Sequence, residues 1–232
     1  MMSESIYKDN ISEYMIKLKN LVPELNDTWM GYQNEVFKEG LISLRDKQLI
    51  AMACAHITGC PYCIRSRTKL AKAEGATDEQ IAEGIFIAMR LAMGQPYAFG
   101  SIAFENYDLM KDKKDVTEGY FISKNITPQI QEFHKLSGET HEKFSAFHEM
   151  VYADGHLSKK LKKGLMGLAC ALLAKCPWCI RSCIRDGLKE GVTKEEITEA
   201  INVAMVMSAG ACWAHAGISM ETADKFGAKD KK

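Results

Sequence analysis

At 232 residues, with hydrophobic residues at 47% and charged residues at 26%, the chain has the make-up of a soluble globular protein. It is long enough for one large core or two small ones. Thirty basic residues balance thirty acidic ones, which argues against a nucleic-acid or anionic-membrane partner. No run of about eighteen apolar residues marks a transmembrane helix. The polar, acidic start Met1-Met2-Ser3-Glu4-Ser5 lacks the profile of a secretion signal, so a cytoplasmic protein is expected.

In chain order the pattern is helical. Ile11, Met15, Leu18 and Leu21 form an i, i+4, i+7 stripe and predict a first helix over 11–21. Pro23 fits the first turn of a second, running to about Lys38 and ended by Gly40. Asp46 to Thr58 is strongly apolar and reads as a buried helix, stopped by Gly59. Cys60-Pro61 then opens a helix that Gly75 closes, since proline is tolerated at a first helical position. Thr77-Asp78-Glu79-Gln80 is a capping box and opens a helix predicted to end near Gly94, with Ile81, Ile85, Ala88, Met89 and Ala92 as its apolar face. A last helix is predicted over Tyr97 to Met110. No period-two segment stands out, so the fold class is all-α.

The chain then repeats itself. Adding 116 to each position from Lys47 to Phe99 matches Lys163 to His215 without a gap, and 22 of those 53 pairs are identical. They include Cys54/Cys170, Cys60/Cys176, Cys63/Cys179, Gly75/Gly191, Thr77/Thr193 and Gly94/Gly210. A fainter match upstream has an offset of 115, as in Ile11/Ile126, Leu21/Leu136, Glu24/Glu139 and Gly40/Gly155. The protein is a tandem duplication, with domains at 1–118 and 119–232 and a Lys- and Asp-rich connector over 108–125.

Eight cysteines are many for a compartment that keeps thiols reduced, where paired cysteines are more often redox-active or metal-binding than structural. Cys60-Pro61-Tyr62-Cys63 and Cys176-Pro177-Trp178-Cys179 each stand at a predicted helix start, where free amides and the helix dipole lower a thiol's pKa. Three residues apart, the two sulfurs of a pair share a helix face and can close a disulfide. A four-cysteine zinc site from both pairs has suitable ligands, but its separation of 116 residues is explained by the duplication without metal. No metal or cofactor is expected. Cys54 and Cys170 read as small core residues. His56 stands four residues before Cys60, where it could supply a base, but Leu172 replaces it in the second copy and a satisfied core histidine is the plainer reading. Arg65 and Arg181 recur beside the thiols, either raising the local positive potential or pairing with surface acids. His134, His141, His148 and His156 recur about seven apart; on one helix, neighbouring imidazoles would lie roughly 10 Å apart, too far to share an ion.

The runs Leu49-Ile50-Ala51-Met52-Ala53, Gly59-Cys60-Pro61-Tyr62-Cys63 and Glu74-Gly75-Ala76-Thr77-Asp78-Glu79-Gln80-Ile81, with Gly191-Val192-Thr193-Lys194-Glu195-Glu196-Ile197 in the second copy, resemble the carboxymuconolactone decarboxylase/alkylhydroperoxidase AhpD-like family. The resemblance covers about fifty residues in each copy. It implies an all-helical fold, a homo-oligomer, and Cys-x-x-Cys pairs that reduce peroxides or exchange disulfides with a partner protein. In that family a glutamate twelve residues before the first cysteine and a histidine four after the second relay protons. Here those positions hold Gln48 and Gly164 before, and Arg67 and Cys183 after. Glutamine accepts no proton at working pH and arginine releases none, so the family's relay is missing from both copies while dithiol–disulfide exchange remains possible. Cys183 is a candidate third thiol beside Cys179.

The expected function is a thiol-dependent peroxidase or disulfide oxidoreductase, antioxidant in role, with Cys60, Cys63, Cys176 and Cys179 as its catalytic residues. Gln48, His56, Arg67 and Cys183 are its accessory candidates. Its partners would be a peroxide or protein-disulfide substrate and a thiol reductant. The alternatives are a lyase of the same superfamily acting on a small cyclic carboxylated substrate, which needs no Cys-x-x-Cys, and a non-catalytic thiol- or metal-binding protein.

Overall fold

The computed structural model of the protein describes residues 11–111 and 125–226; they contain no strand. Most of the connector expected at 108–125 lies outside the described residues. The first copy supplies α1 (Ser12–Leu21), α2 (Pro23–Val36), α3 (Leu44–Thr58), α4 (Pro61–Ala73) and α5 (Asp78–Lys111). The second supplies α6 (Thr127–Ser137), α7 (Glu139–Val151), α8 (Gly167–Leu173) entered through a π-helical stretch Lys160–Met166, α9 (Pro177–Lys189) and α10 (Lys194–Phe226).

The local signals act as expected at most boundaries. Gly59, at φ 67°, ends α3 as expected, while its start lies two residues ahead of Asp46, where Ser43 caps it by accepting from the Asp46 N–H at 3.2 Å. Both capping boxes close: Thr77 Oγ1 accepts from Gln80 N and Gln80 Oε1 from Thr77 N, and Thr193 with Glu196 does the same.

Two further boundaries differ. No helix ends near Gly94 and none restarts at Tyr97: α5 is one helix, 34 residues long, carrying Pro96 inside it. Gly94 is a packing residue, its bare Cα facing Cys179. The apolar face also turns from the expected one. Ile87, Ala88 and Leu91 are buried, whereas Met89 is 47% exposed. The histidine row does not lie on one helix either. Gly138, at φ 51°, breaks it between α6 and α7, and the turn brings the His134 and His141 rings together, stacked at 3.5 Å between centroids.

The two copies share a single core. Leu49, Ile50, Met52 and Cys54 of α3 pack with Met166, Leu168, Cys170, Val203 and Met207 of the second copy. Cys54 and Cys170 meet there through a thiol–thiol hydrogen bond that, with full burial, pushes the Cys170 thiol up. Helix α10 is long and apolar enough by composition to cross a membrane, but Val203, Ala204, Val206 and Met207 on it belong to this core.

A reciprocal clasp ties the copies. Lys47 Nζ bonds Lys38 O at 2.8 Å and pairs with Glu199 at 3.1 Å, while Glu199 accepts the N–H groups of Leu41 and Ile42. Lys162 Nζ bonds Ala153 O at 3.0 Å and pairs with Glu83 at 3.0 Å, while Glu83 accepts those of His156 and Leu157. Lys47 therefore corresponds to Lys162 and not, as the offset of 116 implies, to Lys163. The correspondence runs at 115 through Lys162 and at 116 from Leu49/Leu165 onward. The one added residue is absorbed by the π-helical stretch, as such insertions commonly are. Gly164 there abuts Gly187, where a Cβ would meet the Gly187 Cα at 2.9 Å.

Candidate redox site

Each Cys-x-x-Cys sits where a buried helix turns into the next. In the first copy the left-handed Gly59 releases the chain into Cys60, whose extended backbone makes it the N-cap of α4. Cys60 Sγ accepts the Cys63 N–H at 3.2 Å. In the second copy Lys175, at φ 54°, takes the place of Gly59 at some conformational cost, and Cys176 Sγ accepts the Cys179 N–H at 3.3 Å. Both pairs are disulfides with Cα atoms 5.2 Å apart. The first sulfur of each pair is enclosed: Cys60 and Cys176 are both 0% exposed. The second is the outward one of each pair: Cys63, 9% exposed, lines a cavity of about 430 Å³, and the half-buried Cys179 lines one of about 720 Å³.

Neither site is built by one copy alone. Met207, Gly210, Trp213 and Ala214 of α10 roof Cys63, and Arg90, Gly94, Tyr97 and Ala98 of α5 roof Cys179. The residue after the proline of each pair packs on the opposite helix: Tyr62 edge-on to His215 at 6.3 Å, and Trp178 edge-on to Phe99 at 5.3 Å. These are equivalent pairs at an offset of 116, exchanged between copies. Cys176 Sγ lies 3.8 Å from Gly94 O, a bond its thiol donates once the disulfide is reduced.

The surroundings of the two pairs differ. Around Cys63, Arg67 Nη1 donates to Gln48 Oε1 at 3.2 Å and Nη2 to Gln33 Oε1 at 3.3 Å, with the guanidinium 4.0 Å over the Phe37 ring. Burial pushes Arg67 down to about 10, which leaves it a cation at neutral pH. Gln48 and Arg67, expected from the sequence as accessories, are thus joined in one network, and it contains no proton acceptor of useful pKa.

Around Cys179 the position of Gln33 is taken by His148, at an offset of 115. Arg90 Nε donates to His148 Nδ1 at 2.7 Å, and its guanidinium lies 4.8 Å over Phe144. Burial first, and the Arg90 charge second, push His148 down to about 4. Because arginine Nε always carries its hydrogen, Nδ1 must be the bare nitrogen, and the neutral ring holds its proton on Nε2. Lys163, freed from its apparent equivalence to Lys47, lines this cavity, and Gly164 does not. Cys183 lines it too, but burial pushes its thiol up to about 12, so it stays protonated at neutral pH. His56 lines neither cavity; its Nδ1 bonds Met52 O at 2.9 Å, one turn back in its own helix.

Sequence reasoning did not pick out Arg90, Lys163, Tyr97 or the role of His148. The signal for two of them was present in the change of offset from 115 to 116, which aligns His148 with Gln33 and frees Lys163. Arg90 gives no such signal, since its counterpart in the first copy's roof is Val206.

This architecture defines a class: an all-helical tandem repeat with one disulfide-forming thiol pair per copy, each completed by the other copy's long helix. The sequence profile of the carboxymuconolactone decarboxylase family matches residues 23–97 and again 138–217, and the chain belongs to that family. A Paracoccus denitrificans protein described as uncharacterized protein 4 in cox locus is 42% identical over 84 residues, which is 36% of this chain and 76% of that one. A Burkholderia xenovorans crystal structure, described as a candidate gamma-carboxymuconolactone decarboxylase subunit, superposes with a TM-score of 0.68 over 95% of this chain and 93% of its own. At 15% identity it shares the fold.

Proposed function

We propose that the protein is a thiol-dependent oxidoreductase that reduces hydroperoxides or protein disulfides in the cytoplasm. The observation that carries this reading is the division of each pair into a buried, helix-capping sulfur and an outward sulfur at the wall of a cavity. In the reduced protein the Cys63 or Cys179 thiolate attacks the outer oxygen of ROOH. The O–O bond breaks, ROH leaves with a proton, and the sulfur becomes a sulfenic acid. The thiolate of Cys60 or Cys176 then attacks that sulfur, forming the disulfide and expelling hydroxide, which is protonated to water. A dithiol reductant reverses this by attacking the outward sulfur. The capped sulfur is then the leaving group, and its bond from the helix N-terminus favours the thiolate that departs.

The exposed apolar residues Phe86, Met89 and Met93 on α5, and Ile201 and Met205 on α10, support the expected self-association. The family is named for a lactone decarboxylase, and this keeps a second reading, a lyase acting on a cyclic carboxylated substrate. That reaction has no use for a disulfide.

The test is mass spectrometry of the reduced protein after equimolar hydroperoxide, with regeneration by dithiothreitol. Intrachain Cys60–Cys63 or Cys176–Cys179 disulfides that form and reduce within turnover times support the oxidoreductase. Absence of both, or a lyase activity that survives all four Cys→Ser changes, refutes it.

A further inference from the structure

The two thiol sites are not chemical duplicates, and the difference lies in half-buried positive charge that has no anionic partner. In the smaller cavity the buried Arg67 guanidinium is satisfied by two amide oxygens and an aromatic face, and the other cations lining it, Arg65 and Lys69, are exposed to water. In the larger one, Arg90 spends its Nε–H on a neutral imidazole and rests on Phe144. Lys163 is half-buried in the same wall, whereas Arg181 and Arg185, which also line it, are exposed. Among the described residues neither Arg90 nor Lys163 forms an ion pair with a carboxylate. Asp186, the acidic residue lining the cavity, is already held by both arms of Arg185 and by Lys189. The remaining wall mixes apolar and aromatic side chains, among them Leu91, Ala98, Ile130 and Trp178, with polar ones such as Thr127 and Ser182. A cavity with two half-buried cations that lack an anionic partner, beside apolar side chains, is matched by an anion bearing a hydrocarbon body, because a charge held away from water is costly until it is paired.

We propose that the Cys176–Cys179 site selects hydroperoxides that carry a carboxylate, with Arg90 and Lys163 binding the carboxylate and His148 adding a hydrogen bond from Nε2, whereas the Cys60–Cys63 site is indifferent to that charge. This substrate class rests on the oxidoreductase reading given above. His148, which lines the cavity, is suited to the task because Arg90 occupies Nδ1, so its remaining nitrogen, Nε2, can only donate. Arg90 and His148 thus act as specificity-determining residues that sit outside both Cys-x-x-Cys motifs. Arg90 comes from the other copy, so the second site is incomplete without the first. The chemistry is that of the preceding section. Cys179 is oxidised by the hydroperoxide, the O–O bond breaks to give the alcohol, Cys176 closes the disulfide with loss of water, and a dithiol returns the electrons.

The probes are 4-carboxycumyl hydroperoxide and its methyl ester, which differ in the charge and not in the reacting group. They are applied to full-length C60S/C63S, which retains the second pair, and to C176S/C179S, which retains the first. In C60S/C63S the acid should close the Cys176–Cys179 disulfide about tenfold faster than the ester, with the ratio falling as salt is raised. In C176S/C179S the ratio should be near one. Arg90→Met and, as an independent variant, Lys163→Met in the C60S/C63S background should each bring the ratio toward one. A ratio near one in C60S/C63S overturns the inference and leaves the oxidoreductase reading standing. A ratio that persists in both Arg90→Met and Lys163→Met overturns the assignment of those residues. If neither hydroperoxide oxidises either pair, the oxidoreductase reading falls and the substrate assignment falls with it.

Discussion

Replacing Glu83 by alanine isolates the clasp between the copies. Lys162 is 2% exposed, and Glu83 supplies the only carboxylate paired with it among the described residues. Burial alone would raise the Glu83 pKa, but bonds from the His156 N–H, Lys162 and the Leu157 N–H, together with the Lys162 charge, hold it below the usual carboxylate range. The substitution strands a buried ammonium, for which breaking a buried pair costs about 3–5 kcal/mol. It also orphans the Leu157 N–H, while the exposed His156 N–H can turn to water. We expect a loss of about 4 kcal/mol, a large share of the roughly 5–15 kcal/mol typical of a folded protein. For a chain of this size that corresponds to a fall in Tm of about 10 °C. Urea unfolding followed at 222 nm gives the free energy. The E83A/K162M double variant should be clearly less destabilised than the sum of the singles, because removing the ammonium removes the reason for the penalty. Since the folded pKa of Glu83 is depressed, its contribution is present above the unfolded value near 4.5 and is lost as pH falls through the folded value, so the gap between wild type and Glu83→Ala should narrow in acid. A loss under about 1 kcal/mol at neutral pH, or simple additivity in the double variant, refutes the reasoning.

Glu199→Ala, the equivalent change in the other half of the clasp, should cost a similar amount in the same unfolding assay, since Lys47 is 5% exposed in its side chain and bonded in the same way. His148 binds its proton more weakly folded than unfolded, so stability should rise with pH between about 4 and 6.5, and His148→Gln should flatten that slope in melts taken across the range. Gly94→Ala would place a Cβ 2.9 Å from Cys179 Sγ and should cost about 1–3 kcal/mol. Its counterpart Gly210→Ala, whose nearest neighbour is Trp29 at 4.0 Å, should be neutral or stabilising by up to about 1 kcal/mol, as calorimetry of the pair will tell. Timed alkylation of the native protein should label the exposed Cys212 at once and the buried Cys183, with its raised pKa, only on unfolding.

Local chemistry made much of this protein legible in its sequence. Helix starts at Cys60, Thr77 and Thr193 follow from side chains that satisfy their own neighbouring N–H groups, so a few consecutive residues determine them. The duplication and its thiol pairs were equally visible, because they are identities at fixed spacing. The end predicted near Gly94 failed for a tertiary reason. A glycine that stops one helix is the same residue that lets another element approach closely, and here the approaching group is Cys179 from the other copy. What surrounds the outward sulfur of each pair depends likewise on the other copy's long helix, which roofs it. The histidines were misjudged because one left-handed residue, Gly138, turned a row into a stacked pair. The change of offset from 115 to 116 was in the sequence throughout, but only the packing of Lys162 against Glu83 locates the added residue in a π-helical turn. Arg90 beside the second thiol pair is set by the exchange of helices between copies, a contact between residues dozens of positions apart that no local spacing encodes.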